Sequence, residues 1–467
     1  MRPGRRAFLA GSAALACAPL LQARADVRGI RQGREVELVA APATLNVVGA
    51  QYPDTAVWAF NRSLPGPLIE AVQGETLRVR LRNRLPEETT VHWHGIRLPN
   101  AMDGVPHLTQ PPVPPGGEFV YEFALPDAGT YWYHPHANSS GQLGRGLYGA
   151  LVVKARDDVL ADHDQVLVLS DFRMDREARI DTRFAHPHDR SHDGRVGNTV
   201  MVNGRVGGSL AALPGQRWRL RLVNAANARI FRLRFEGHEP VVVALDGHAV
   251  EPHREPAGIV LGPGMRADVL LDMSGSPGSR HRILDDWYRG RAYHLLDIDY
   301  RDAPSQGGAG GEPPRAPRAN PLAEPDLGRA ERLQLVLGGG AMSPALMRAA
   351  PEERRALAER MRAGGLWTIN EHSHLGHAHA PLYTLAHGRS YVFEVLNDTA
   401  WHHPLHIHGI AFRVLSEPRR PWRDTVLLAP GARAELAFVA DNPGDWMIHC
   451  HILEHQESGM MASMRIQ

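Results

Sequence analysis

Three times along the chain a glycine opens a run of alternating apolar and polar residues that closes on an asparagine: GETLRVRLRN from Gly74, GQRWRLRLVN from Gly215 and GRSYVFEVLN from Gly388. A Pro-Gly turn leading into a further strand-like run comes after each of them: PPGGEFVYEF at 114–123, GPGMRADVLL at 262–271 and APGARAELAF at 429–438. Alternation with period two describes half-buried β-strands, and the Pro-Gly pairs describe turns between them. Strand pairs that recur at intervals of about 140–170 residues imply three related β-sandwich domains in an all-β chain. The 46 glycines and 36 prolines suit many turns better than long helices. The boundaries fall at 26–156, 157–318 and 319–467, with a Pro/Gly linker at 303–328. A single helix is expected over 343–365, with Ser343 and Pro344 at its start and Gly364 at its end.

Residues 1–25 read as a leader, with Arg5-Arg6, a short apolar run and the cleavage pattern Ala23-Arg24-Ala25. RRAFL is similar to the twin-arginine signal, which implies export of the folded protein to the periplasm. The flanks of Cys17 fit a lipoprotein site poorly. Without the four arginines of the leader, 48 basic residues stand against 51 acidic ones. That balance of −3 offers no footprint for nucleic acid or an anionic membrane, and no membrane insertion is expected of the mature form. Cys450 is then the single cysteine of an exported protein, which excludes an intramolecular disulfide. A metal ion would account for keeping such a thiol.

The sequence holds seven His-x-His pairs, where chance would give roughly one or two. HPHDRSH (186–192) and the HSH and HAH of 372–379 lie in polar stretches and read as solvated loop histidines, with loose metal binding as the alternative. HWHG (92–95), HPH (134–136), HIHG (406–409) and HCH (449–451) instead adjoin strand-like alternation. Residues i and i+2 of a strand share a face, so each pair presents two imidazoles together. These four pairs fall in the first and third repeats, so eight imidazoles would converge where those domains meet. Cys450 faces the other way, toward His455 and Met460 at five-residue spacing and His403 upstream. Two imidazoles, a thiolate and a weak axial thioether form the donor set of a blue copper electron-transfer centre. Zinc would more usually take a second cysteine.

With these motifs in this order, the chain resembles the multicopper oxidases over nearly all of its mature length. The resemblance implies three cupredoxin-like Greek-key domains and four copper ions. Type 1 copper would be held by His403, Cys450, His455 and Met460, and type 2 copper by His92 and His406. The type 3 pair would take His94, His134, His136, His408, His449 and His451. It implies that single electrons enter near the edge of His455, pass through Cys450, and reduce O2 to two waters. Asp103 in MDGVP matches an acid that supplies protons in the family, although an Asp-Gly turn residue is an equal reading. Gln456 stands where copper-efflux relatives often have Glu, and Glu457 is the candidate substitute.

The donor is less constrained. Met342, Met347 and Met361 around the helix read as helix packing, with a thioether copper site as the alternative. The histidines at 372–379 could bind copper, and Trp401 in NDTAWHHP could line an organic pocket. The sequence favours a laccase-like oxidase of phenols acting as a monomer, with a periplasmic cuprous oxidase as the alternative. A copper-binding protein without turnover and a copper-free scaffold are less favoured readings.

Overall fold

A computed structural model describes residues 35–156, 158–303, 312–362, 365–376 and 380–467. The leader with Cys17, residues 304–311 of the linker, Gly364, and His377 and His379 lie outside the described residues.

The repeated runs form the same structural unit three times. Thr76–Asn83 pairs antiparallel with Glu118–Ala124, Arg217–Asn224 with Arg266–Asp272, and Ser390–Asn397 with Arg433–Val439. Each first strand also pairs in parallel with the strand that opens its third of the chain: Val36–Leu45, His163–Phe172 and Glu331–Gly339. The closing asparagines explain why the repeat keeps that residue. Asn83, Asn224 and Asn397 are fully buried, and their amides donate to two, two and three backbone carbonyls of the following loops. Each side-chain oxygen accepts the N–H two residues on, at Leu85, Ala226 and Thr399. One buried amide thus satisfies loop groups that packing would otherwise leave unpaired.

Among the described residues six sheets result, two in each third of the chain, with four and four, six and five, and six and five strands. The middle sheet pair has its own apolar core around Leu220, Phe231 and Val269. Residues of the first and third pairs, such as Trp93, Tyr121, Phe412 and Trp446, belong to one continuous apolar cluster. Those two thirds are therefore packed as neighbours, with the histidine-bearing strands between them.

The expected single helix is two: Pro344–Arg348 and Pro351–Arg362. Pro351 lacks an N–H and disfavours helical geometry at Ala350, so the chain breaks there and restarts with proline in the first turn. Met342 and Met347 are exposed rather than packed. No described helix is long and apolar enough to cross a membrane.

Candidate metal centre

Sheet register brings the histidine pairs together. His92–His94 runs antiparallel to Gly129–His134 with His92 opposite His134. His403–Ile407 runs antiparallel to Gly444–Cys450 with His406 opposite His449. The two sheets then meet ring to ring: His92 stacks on His408 at 3.9 Å and His94 on His406 at 3.7 Å. His136 lies 5.2 Å from His449, and His451 lies 5.0 Å from His94 and 5.2 Å from His134. All eight rings are buried.

Their hydrogen bonds follow one rule. In six of the eight rings the outward nitrogen is held and the inward one faces the other rings. His92 Nδ1 donates to the Asp103 carbonyl (2.9 Å), His134 Nδ1 to the Pro135 carbonyl (2.9 Å) and His406 Nδ1 to the Asp424 carbonyl (2.8 Å). His449 Nδ1 donates to the Cys450 carbonyl (2.9 Å), His408 Nδ1 to Asp103 Oδ2 (2.9 Å) and His94 Nε2 to Asp424 Oδ1 (3.1 Å). His92 Nε2, His94 Nδ1, His134 Nε2, His406 Nε2 and both nitrogens of His451 are buried without a hydrogen-bond partner. Orphaned buried nitrogens at this density would be costly in a metal-free core. They fit a cluster of metal ions whose ligands are oriented from behind. Burial first, then the neighbouring rings, hold His94, His406 and His451 well below the ordinary imidazole range, and burial likewise lowers His134. Neutral imidazole is the ligating form. The nitrogens group as His136, His408 and His449; His92, His406 and His408; and His92, His94 and His134, each within 4.8 Å.

Cys450 points from the same strand into a second site. Its Sγ lies 3.3 Å from His403 Nδ1 and 3.7 Å from His455 Nδ1. Burial pushes the thiol up, so a metal taking it as thiolate would displace a proton. His403 Nε2 meets Thr399 Oγ1 (2.8 Å), and His455 Nε2 donates to the His192 carbonyl (2.7 Å). Met460 is fully buried and its carbonyl accepts the Cys450 N–H (3.1 Å). Cys450 with its flanking His449 and His451 therefore joins the two sites through the backbone.

The match of these residues to known proteins is extensive. Family models described as "Multicopper oxidase" cover residues 43–158, 163–290 and 350–467. The chain belongs to the multicopper oxidases. Multicopper oxidase MmcO of Mycobacterium tuberculosis is 30% identical, over 91% of this chain and 85% of that protein. The crystal structure of a multi-copper oxidase from Pseudomonas thermotolerans is 36% identical with a TM-score of 0.82, covering 93% of this chain and 99% of that one. A Campylobacter jejuni multicopper oxidase described as a metallo-oxidase is 27% identical with a TM-score of 0.77, covering 92% and 90%. The protein is accordingly a copper-dependent oxidoreductase of all-β, three-sandwich architecture.

In this multicopper oxidase the two predicted acids have different surroundings. Asp103 is buried between two rings of the cluster, with Oδ2 2.9 Å from His408 Nδ1 and Oδ1 3.2 Å from His92 Nδ1. Glu457 reaches away from them and accepts from the N–H (2.9 Å) and the hydroxyl (2.5 Å) of Ser140, tying the third domain to the first. His455, expected to show an edge to solvent, is fully buried. The His192 segment seals its outer nitrogen, and Trp367 lies over its ring at 4.1 Å.

Sequence reasoning missed the carboxylate behind the cluster and the cation that holds it. Asp424 contacts His94 and His406, and Arg266 of the middle domain donates to both of its oxygens (2.7 and 2.5 Å). Gly95 of HWHG has φ +88°, and a Cβ there would collide with this pair. The readable signal was an arginine inside the apolar alternation of GPGMRADVLL, although such a residue more often lies on the solvated face.

Proposed function

We propose that this multicopper oxidase accepts electrons from cuprous ion and passes them, four per O2, to water formation. The sequence favoured a phenolic donor. The observation supporting a metal donor instead is the closure over His455: no exposed ring edge, an outer nitrogen already bonded to the His192 carbonyl, and Trp367 across its face. An aromatic donor needs contact with that ring or a pocket against it, whereas a small ion needs only a few donor atoms nearby. The metallo-oxidase character of the Campylobacter relative agrees with this reading.

Type 1 copper is assigned to His403, Cys450, His455 and Met460, type 2 to His92 and His406, and the type 3 pair to His94, His134, His136, His408, His449 and His451. Bound copper would supply one-electron chemistry and O2 reduction. The chain's own contribution is to hold these ligands rigid. Asp103 orients His92 and His408 and is the carboxylate placed to exchange protons beside them. We also place the enzyme in the periplasm, on the strength of the Arg5-Arg6 leader alone.

Oxygen uptake by the copper-loaded protein tests the donor, with Cu(I) and a methoxyphenol compared and spontaneous oxidation subtracted. Faster uptake with Cu(I), and phenol oxidation that needs added copper, is the expected result. Rapid phenol turnover without added copper would return the enzyme to the laccase-like class.

A further inference from the structure

The segment HPHDRSH, read above as solvated loop, is bolted onto the type 1 site. Residues Pro187–Ser191 form one short helix, and the His192 N–H donates to the His188 carbonyl (3.0 Å), which completes a turn. His188 and His192 therefore lie one turn apart on a common face. Their rings stack at 4.0 Å with 6° between planes. His188 is exposed and carries no side-chain hydrogen bond among the described residues. The His192 ring meets Ser191 Oγ (2.8 Å) and the His188 carbonyl (3.2 Å) through Nδ1, which leaves Nε2 to face an ion.

Four contacts fix this turn from outside. Trp367 Nε1 donates to the Arg190 carbonyl (2.7 Å), and Arg190 Nε donates to Ser458 Oγ (2.8 Å). The Ala341 N–H donates to the Ser191 carbonyl (2.8 Å), and Trp401 meets the His192 ring edge-on at 5.2 Å. A loop histidine needs none of this support. The main chain of His192 also carries the carbonyl that accepts from His455 Nε2 (2.7 Å). From the His192 ring to that type 1 residue runs one side-chain methylene, the Cα, the carbonyl and a single hydrogen bond.

We propose that His188 and His192 form an entry site that binds cuprous ion as substrate, linked to the type 1 residues through the His192 carbonyl. Two imidazoles one turn apart suit a monovalent copper ion, which accepts few nitrogen ligands, once the rings turn out of their stack so that one nitrogen of each faces the ion. Each Cu(I) gives up one electron and departs as Cu(II). Four such electrons and four protons reduce one O2 to two waters, so the balance closes with the family reaction. Exposure of His188 gives the ion access, while burial of His455 keeps solvent and bulky donors away.

This inference rests on the metal-donor reading, and Ag(I), a redox-inert stand-in for Cu(I), separates the two. Copper-loaded wild type and the His188→Ala, His192→Ala and double variants are titrated with Ag(I) by calorimetry, then assayed with Cu(I). The substitutions remove rings but keep the His192 carbonyl, and the blue absorption of the type 1 site reports whether that site is intact. The expected result is one Ag(I) fewer bound by the double variant, with KM for Cu(I) raised roughly tenfold or more and blue absorption retained. Equal Ag(I) uptake by wild type and double variant overturns the site. Cu(I) turnover with an unchanged KM in the variants leaves the functional reading standing and removes the entry role. Ag(I) held by the pair in an enzyme that does not oxidise Cu(I) overturns both the entry role and the metal-donor reading.

Discussion

The fully buried Arg266 guanidinium donates to both oxygens of Asp424, and Asp424 in turn holds the outward nitrogen of His94 and lies beside His406. None of the residues assigned above to type 1, type 2 or type 3 copper lies in the middle domain, yet Arg266 of that domain reaches His94 and His406 through this pair. Arg266→Met leaves a carboxylate buried and unpaired, a change that costs about 3–5 kcal/mol. It should also weaken type 2 copper by roughly 10–100-fold, since a ligand's supporting partner is lost. Copper content and the type 2 electron paramagnetic resonance signal are the readouts, with the type 1 blue absorption as reference. Equal loss of both copper types would assign Arg266 to general stability only.

Cys450→Ser tests the connection between the two sites. Serine keeps the volume but offers no thiolate, so the blue absorption and turnover with every donor should vanish. The fold and the eight-histidine cluster should remain, as shown by circular dichroism and retained cluster copper. Oxidase activity surviving in this variant would sink the route through Cys450.

The repeats, the strand pairs and the candidate ligands were legible because each leaves a periodic or local trace. Alternation marks the strands around Leu81, Leu222 and Val395, and His-x-His marks a face of a strand. The supporting residues leave no such trace. Asp424 and Arg266 meet across domains, 158 residues apart in sequence. His192 acts toward His455 through its carbonyl, a group every residue has, so nothing in its side chain announces the contact. The break at Pro351 does leave a local trace, because a proline inside a helical run disfavours helical geometry at the residue before it.

Asp103 and Glu457 separate proton handling from domain bracing. Asp103→Asn keeps the shape but loses an acceptor between His92 and His408, and turnover should fall roughly 10–100-fold. Glu457→Gln removes a charge whose hydrogen bonds, among the described residues, come from the Ser140 N–H and hydroxyl. It should lower thermal stability by about 1 kcal/mol, with turnover within about twofold of wild type. Steady-state oxygen uptake and thermal melts of the two variants decide the matter. A large turnover loss in Glu457→Gln with normal stability would make Glu457 the relay.

Asp246 gives the fold a pH dependence of definite sign. It is fully buried beside Arg266 and accepts the Arg266 N–H (2.8 Å). Burial, and then the charge of Asp424, push its carboxyl up to about 6, against ~3.9 for an unperturbed aspartate. Between those values the folded chain holds a proton that the unfolded chain has released. Stability from this group is therefore fully present below ~3.9 and lost as pH rises through about 6, a change on the order of 2–3 kcal/mol. Asp246→Asn cannot titrate, so the wild-type melting temperature minus that of the variant should decline from pH 4 to pH 7 and then level off. Melts of the copper-loaded proteins across that range measure it, and a difference that stays flat or rises with pH would show that Asp246 is already ionised in the folded enzyme.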